Sequence, residues 1–427
     1  MSSNDNRGMS LAIVLAVLAI LGQIIVAVIM SHGNAMKFSR ESELHASARL
    51  ASMSALDYVR YRVDSDTNPF RTDSLFHIPL DTTISYSINV RQRGLIAVVR
   101  ATGNLQSGVR IIHDTVFAQI ESHLPSNVAL ALMDQGAGLA LAGSAQVVGD
   151  VMLRHGTVSK SDQARLPALK TAGLQGQVRD STDTLWKSLR FNLAPVQTWL
   201  DSVAKIPVQH SAATTSMNAD SFPCPRVSRK MGTVVVGGTG LIKGSMLVAE
   251  KIVVQDSVSL DGVLFCAREL EIRTKANIVN GQFIALDTML VPSAHPHGLP
   301  LFYVHGRTNI GYLSVGKYDG GGTFIFGGNQ WTPHDGTTKA TFATTTHIAG
   351  NVAINGWLDM GGAQVNGSVL AWNLVLDYDG TRWQGYMKDG KITAPIDGHT
   401  SFPDFMLTKI PHNFQKIPRT EEIGYAP

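Results

Sequence analysis

The hydrophobic pattern is most extreme near the N-terminus. No charged residue occurs from Met9 to Met30, and only Ser10, Gly22 and Gln23 break the apolar run. At about 1.5 Å per residue this makes a helix of roughly 33 Å, enough to cross the hydrocarbon core of a bilayer. A secretory h-region is shorter, about 7–15 residues, and ends at a small-residue cleavage site. Ser31, His32, Gly33 and Asn34 make a poor one. The pattern predicts a single-pass anchor, with Met9, Leu11, Ile13, Leu18, Ile25 and Met30 in the membrane-spanning segment. Beyond it, Leu44, Ser47/Ala48, Ala51, Ala55 and Tyr58 recur at three- and four-residue steps. They form one apolar face of the same helix, continued to Val63. Gly33 and Asn34 are positions for a bend, and Asp64 to Pro69 reads as a loop.

From residue 70 to 125 the period changes from helical to alternating. Ile84/Tyr86/Ile88/Val90 predict a strand with one buried face, followed by strands over Leu95–Ala101 and Val109–Ile120. The intervening RQRG and TGNLQSG read as turns, giving an antiparallel meander.

Past Ser126 the signal is internal repetition. Ala249, Ala267 and Ala285 stand eighteen residues apart. Ile242, Leu260 and Ile278 precede them, Leu247, Phe265 and Phe283 lie just before, and Val254, Ile272 and Leu290 follow. Gly244, Gly262 and Gly281 recur near a turn in each unit. A distant copy sets Val279–Ala285 against Val365–Ala371, and stretches around Gly149 and Gly176 look like earlier, degenerate units. The units are rich in Gly and β-branched residues and alternate locally in steps of two, which favours strands over helix. A coil of short parallel strands stacked about 4.8 Å apart satisfies the period. Its expected form is a right-handed parallel β-helix over 126–400. A β-sandwich built from the same strands is the alternative. Residues 181–205 read as helical turns with Leu185, Leu189, Leu193 and Trp199 inward, lying on the side of the coil or capping an end. Residues 295–347 read as a long loop insertion carrying hairpins, and 401–427 as an extended tail.

The leader adds a family. Arg7-Gly8-Met9-Ser10-Leu11, a short polar stretch ending in Gly before a long apolar helix, resembles type IV pilins and secretion pseudopilins. The resemblance covers residues 1–125. It implies cleavage after Gly8, a methylated Met9, and a pilin-like α+β module of long helix plus antiparallel sheet. It also implies an extracytoplasmic body on a single inner-membrane span, with pilus or pseudopilus subunits as partners. That family usually has Glu at the fifth mature position, where this chain has Ile13. The departure fits a minor or tip subunit better than a repeating shaft subunit. Flanking charge points the other way, because Lys37, Arg40 and Arg49 follow the helix and only Arg7 stands close before it. The glycine-punctuated repeats look like those of bactofilins.

Composition removes some classes. Charged residues are 16% of 427, glycines number 40, and the net charge is +3 with no basic stripe, so nucleic acid is not a predicted partner. Cys224 and Cys266 permit one disulfide or two unrelated thiols. Gly237-Gly238-Thr239-Gly240 misses phosphate-loop spacing and reads as turn glycines. His295, His297, His305 and His334 lack a completing Cys or carboxylate, so no metal is predicted and no cofactor is implied. A glycosidase needs two carboxylates about 5–9.5 Å apart, one with a raised pKa. Asp256 with Asp261, or Asp377 with Asp379, are the candidate pairs, but solvated turn aspartates read the same way. No catalytic residue is assigned. Trp331, Trp372 and Trp383 are candidate ligand-binding residues, outward rings for a polysaccharide or a protein partner. The resulting expectation is a non-enzymatic, membrane-anchored surface protein displaying a coil for adhesion or filament assembly. A β-helix polysaccharide enzyme and an anchored envelope scaffold are the alternatives.

Overall fold

The computed structural model describes residues 5–63, 74–79, 83–107, 110–124, 127–136, 138–161, 163–180, 194–209, 214–218, 227–255, 257–273, 277–306, 311–327, 338–395, 400–403 and 412–417. It is a long N-terminal helix followed by a mostly-β body with an extensive parallel sheet. The chain divides into two compact units. One holds Met1–Tyr58, Leu75–Asn89 and Arg100–Val116; the other holds Val59–Ser74, Val90–Val99 and Phe117–Pro427.

In the first unit, helix α1 (Asp5–Val63) runs 59 residues without a break, straight through Gly33 and Asn34. Its length is about 88 Å. The small face predicted from the sequence is the one that packs: Ala48, Ala51, Ser52 and Ala55 are at most 3% exposed. Ser52 satisfies its hydroxyl by donating to the Arg49 carbonyl at 2.8 Å. Opposite the small residues stands Gly103. A Cβ there would collide with the Ala48 carbonyl oxygen, the Ser52 amide and Ala51 Cβ, so backbone lies directly on backbone. This corrects the sequence reading, in which TGNLQSG is a turn. The strand Ile96–Ser107 continues through it, and Gly103 is a close-approach residue inside a strand. Gln106 N donates to Thr83 O at 2.8 Å, and the Thr102 and Thr115 hydroxyls meet at 3.0 Å, tying neighbouring strands together.

The second unit is the coil. Each turn contributes short strands that pair in parallel with the turns on either side. Ala249, Ala267 and Ala285 lie directly opposite one another, continued by Val304, Phe326, Ile354, Ala371 and Leu132. Leu247, Phe265, Phe283, Phe302 and Phe324 form a second inward column. Its rings stack at 5.2 Å between Phe283 and Phe302 and 4.6 Å between Phe302 and Phe324. Ile242, Leu260 and Ile278 form a third column. The fourth predicted column fails at its last member. Gly281–Ala294 carries one residue more than Val263–Ile272 across a bulge, so Leu290 stands opposite Glu271, while Val291 is fully buried. The bulge holds Asp287, 4% exposed, whose Oδ2 accepts a hydrogen bond from Arg268 Nε. Gly281 pairs with Val263; the turn equivalent to Gly244 and Gly262, at φ 59° and 60°, falls at Asn280.

Two further readings change. Residues 295–347 are not a hairpin insertion where they are described. Leu301–Val304, Gly311–Gly321, Thr323–Phe326 and Thr338–Phe342 are parallel strands of the coil itself, and Phe302, Tyr318 and Phe324 are fully buried. Thr400–Pro403 and His412–Ile417, within the expected tail, pair antiparallel with Arg110–Leu124.

The order of turns is also unexpected. Val128–Gln135 pairs with Val369–Tyr378 on one side and Asp150–Arg154 on the other, and Val178–Asp180 pairs beyond that. The first turns of the chain therefore continue the stack after its last turn. At the opposite end of the stack Val208–Gln209 pairs with Val227–Lys230. Helix α2 (Ala194–Val203) precedes that strand in the chain. Its Val196, Trp199 and Val203 belong to one buried cluster with a row running through Val248, Cys266, Ile284, Tyr303, Ile325, Ala353, Leu370 and Met152. Leu185, Leu189 and Leu193 lie outside the described residues, as do Asp64 to Pro69. The Gly94–Leu95 turn covers the same row, with Leu95 N donating to the buried Gln282 Oε1 at 2.7 Å.

Because Phe283 touches rings on both sides, Phe283→Ala is expected to cost about 3–5 kcal/mol and to lower the melting temperature measured by circular dichroism. Gly103→Val is expected to lift α1 off its strand, read as protease cleavage of α1 between Arg40 and Arg49 that the unaltered protein resists.

Candidate functional site

The segment with the clearest physical demand on its surroundings is the first half of α1. Large apolar side chains from Val14 to Met30 are 47–65% exposed, and Leu18 and Ile25 are each 57% exposed. This helix is long and apolar enough to cross a membrane, and its most apolar stretch is not buried. Gly8 and Met9 lie inside α1, as do Leu11 and Ile13. The same helix thus presents two chemistries: a bare apolar half and a small-residue half packed on a strand. Outside the apolar run, Phe38, Leu50 and Tyr61 are also exposed, at 69–74%.

The aromatic residues singled out for ligand binding do not converge. Trp372 is half-buried between the ladder residues Ala371 and Asn373. Trp383 is half-buried in a small cluster with Leu166, Leu376 and Tyr386, its ring 5.6 Å from that of Tyr386. Trp331 lies outside the described residues. On the coil, Tyr312 is 40% exposed, and its hydroxyl meets the Thr341 hydroxyl at 3.3 Å.

Nor does the carboxylate geometry resemble an acid–base pair. Asp377 is held by Arg382 Nε at 2.9 Å and by Lys339, which also reaches Asp359 at 3.0 Å. The Arg382 hydrogen bond, against the opposing effect of partial burial and with Lys339 helping, holds the Asp377 carboxyl down at about 2. A general acid requires the opposite shift. Asp379 sits in a turn at φ 51°, Asp261 is paired with Lys243 at 3.3 Å, and Asp256 lies outside the described residues. Sequence reasoning missed this Lys339–Asp359–Asp377–Arg382 network. Lys339, Asp359 and Asp377 are brought together by stacking of neighbouring turns, and Arg382 faces Asp377 across an antiparallel pairing.

Among the described residues, no three His, Cys, Asp or Glu side chains come together as metal ligands. His305 is buried with Nδ1 2.8 Å from the Tyr303 hydroxyl, and burial pushes that phenol well above its usual range. Cys266 is a free thiol in the row beneath α2; burial pushes it up to about 12, far from nucleophilic. Cys224 lies outside the described residues.

Leu18→Arg at the middle of the apolar run is expected to cost about 2.5–3.5 kcal/mol of insertion and to move protein into the alkaline-carbonate-extractable fraction. Because the folded Asp377 pKa is depressed, its stabilising contribution is complete above the ordinary value of 3.8 and is lost as pH falls through about 2. The melting temperature should therefore drop across that window, and Asp377→Asn should remove part of the drop.

No family model matches the chain, and no curated protein matches it. Among solved structures, the competence-associated pilin ComZ from Thermus thermophilus matches at 10% identity over 88% of this chain and 96% of that chain, with a TM-score of 0.21. A TM-score that low establishes neither a shared fold nor a shared function.

Proposed function

We propose that the chain is a non-enzymatic, membrane-anchored surface protein of the minor pilin or pseudopilin type. Residues 9–63 form its membrane and amphipathic helix, 70–125 a pilin-like antiparallel sheet, and 126–400 a right-handed parallel β-helix. The observation that carries this reading is the double character of α1. An apolar half exposed to the surroundings continues, with no break, into a half whose small residues are packed against Gly103. A helix built only as an anchor has no need to share one rigid rod with the body. A subunit that leaves the bilayer for a filament does, because the same apolar half must trade lipid for neighbouring helices.

In this reading a peptidase cuts after Gly8, Met9 becomes the methylated N-terminus, and the body lies outside the inner membrane. Ile13, where shaft subunits carry a Glu, is compatible with a tip or minor position. The coil then serves as a rigid surface for adhesion or assembly. Outward rings at Trp331, Trp372 and Trp383 remain candidates for glycan contact, although the half-burial of the latter two limits how much ring face they offer.

Mass spectrometry of the protein from its native membrane tests the reading. The expected N-terminal peptide begins at N-methylated Met9, and Gly8→Arg should leave the leader attached. A peptide retaining Met1 or Ser2 in the unaltered protein would remove the filament role and leave a plain anchor.

A further inference from the structure

The strands of residues 128–148 join the rest of the coil along one seam. Among the described residues, Val128–Gln135, Leu139–Ala142 and Gln146–Val148 pair with Val369–Tyr378, Tyr386–Lys388 and Lys391–Thr393. No described strand from 128 to 180 pairs with any described strand from 208 to 366. Side chains hold the same seam. Ser144 N and Oγ donate to Asp389 Oδ1 at 2.8 and 2.9 Å, Ser368 Oγ donates to Val128 O, and Asn373 Nδ2 donates to Asp134 Oδ2 at 2.9 Å.

The seam also brings the entry and the exit of the coil together. At the entry Asp150 N donates to Asn127 O at 2.7 Å. At the exit Ala394 N donates to Val148 O at 2.8 Å, next to the Val148–Thr393 pair. Two residues, Pro125 and Ser126, lead back from Asn127 to Leu124, and five, 395–399, lead on from Ala394 to Thr400. Leu124 and Thr400 are themselves directly paired.

That pair begins a short clasp. Thr400–Pro403 runs antiparallel to Glu121–Leu124, and His412–Ile417 runs antiparallel to Phe117–Ser122. Ser122 stands opposite both Phe402 and His412, and Glu121 opposite both Pro403 and Asn413, so the two tail strands lie on the two edges of one strand. Neither pairs with any other strand among the described residues. The first is four residues long and ends in a proline, which has no amide to donate. Pairing this short is marginal by itself and depends on how close its partners are held. With the seam closed, only the free residues 125–126 and 395–399 separate them. With the seam open, the connection lengthens by the stretch up to Val208, about eighty residues, and the local concentration of the partners falls as the −3/2 power of length, roughly fortyfold.

We propose that closure of the coil delivers the C-terminal strands to Glu121 and Ser122, so that the tail clasps its strand only on a chain whose first and last turns have docked. The tail is thereby a sensor of coil completion. The proposal concerns the coil and the tail alone and holds whether or not the chain enters a filament.

Hydrogen–deuterium exchange of the full chain in detergent, followed by mass spectrometry of its peptides, tests it, because exchange reports local opening segment by segment. In the unaltered protein the amides of 400–403 and 412–417 are expected to be protected. Val147→Asp puts a carboxylate where a fully buried side chain lies between Ile392 and Leu174, which opens the seam from the docking side. Exchange at 400–417 is then expected to quicken about tenfold or more, although no tail residue is altered, while Val263–Ile272 stays protected. A tail that is unprotected in the unaltered protein, or that keeps its protection when 128–148 has lost its own, would overturn the proposal.

Should Val147→Asp release Val263–Ile272 as well, a reversible lock replaces it. Val147→Ala loosens the seam, and Val148→Cys with Thr393→Cys, directly paired across it and within disulfide reach, closes it on oxidation. Tail protection that rises on oxidation and falls on reduction supports the sensor. Tail protection identical in the two states overturns it.

Discussion

A turn of parallel coil cannot hide its inner side chains by itself. It offers one flat layer of apolar groups and two rows of unpaired backbone, and both demands are met only by another turn about 4.8 Å above or below. Everything distinctive in the body follows from that requirement. The columns through Ala249 and Phe265 exist because each layer must be covered by the same kind of residue in the next. The bulge at Asp287 is tolerated because Arg268, one turn away, can neutralise the carboxylate the extra residue would otherwise leave buried and alone. The same requirement applies at the ends, where no next turn is available from the local sequence. At the turn through Val369–Tyr378 it is met by Val128–Gln135, a strand from much earlier in the chain.

That arrangement constrains the outside of the coil as well. Helix α2 packs on one face of the stack. That face is apolar from Val248 through Tyr303 to Met152 and forms one buried cluster with α2 and Leu95. Cys266 and Ile284 face away from the coil interior yet are buried for this reason. An outward apolar row on a β-coil is usually a candidate docking surface; here α2 and Leu95 already pack against part of it.

The parts of this structure legible in the sequence are those fixed by short-range repetition. Ala249, Ala267 and Ala285 were alignable because three consecutive turns have nearly constant length, and the helix was readable because its period is local. Residues 301–342 belong to the same coil, yet lengthened turns and a shift from aliphatic to aromatic core residues disguise the period. A stack needs matching volume, not matching residues, so Phe302 can follow Phe283 and precede Phe324 without any spacing rule surviving. Gly103 was misread for a related reason: a strand glycine admitting a helix backbone and a turn glycine have the same letter and polar neighbours. The joining of Val369 to Leu130 had no local signal at all, since strand pairing at such separation is decided by which edge remains open.

The candidate site divides along the same line. The apolar run of α1 is a property of consecutive residues and needs no fold to be seen. The charges on the coil are a property of the stack: Lys339, Asp359 and Asp377 come from three successive turns, and only the ladder makes them neighbours. Once together they neutralise one another, and Asp377 is drawn towards its ionised form by Arg382 and Lys339. A stacked coil that sets cation over carboxylate from turn to turn consumes its acids in holding the layers together. A hydrolytic site on such a surface would need a carboxyl isolated from its neighbours, and stacking opposite charges in successive layers works against that isolation. What such a stack offers readily is a stiff, repetitive surface.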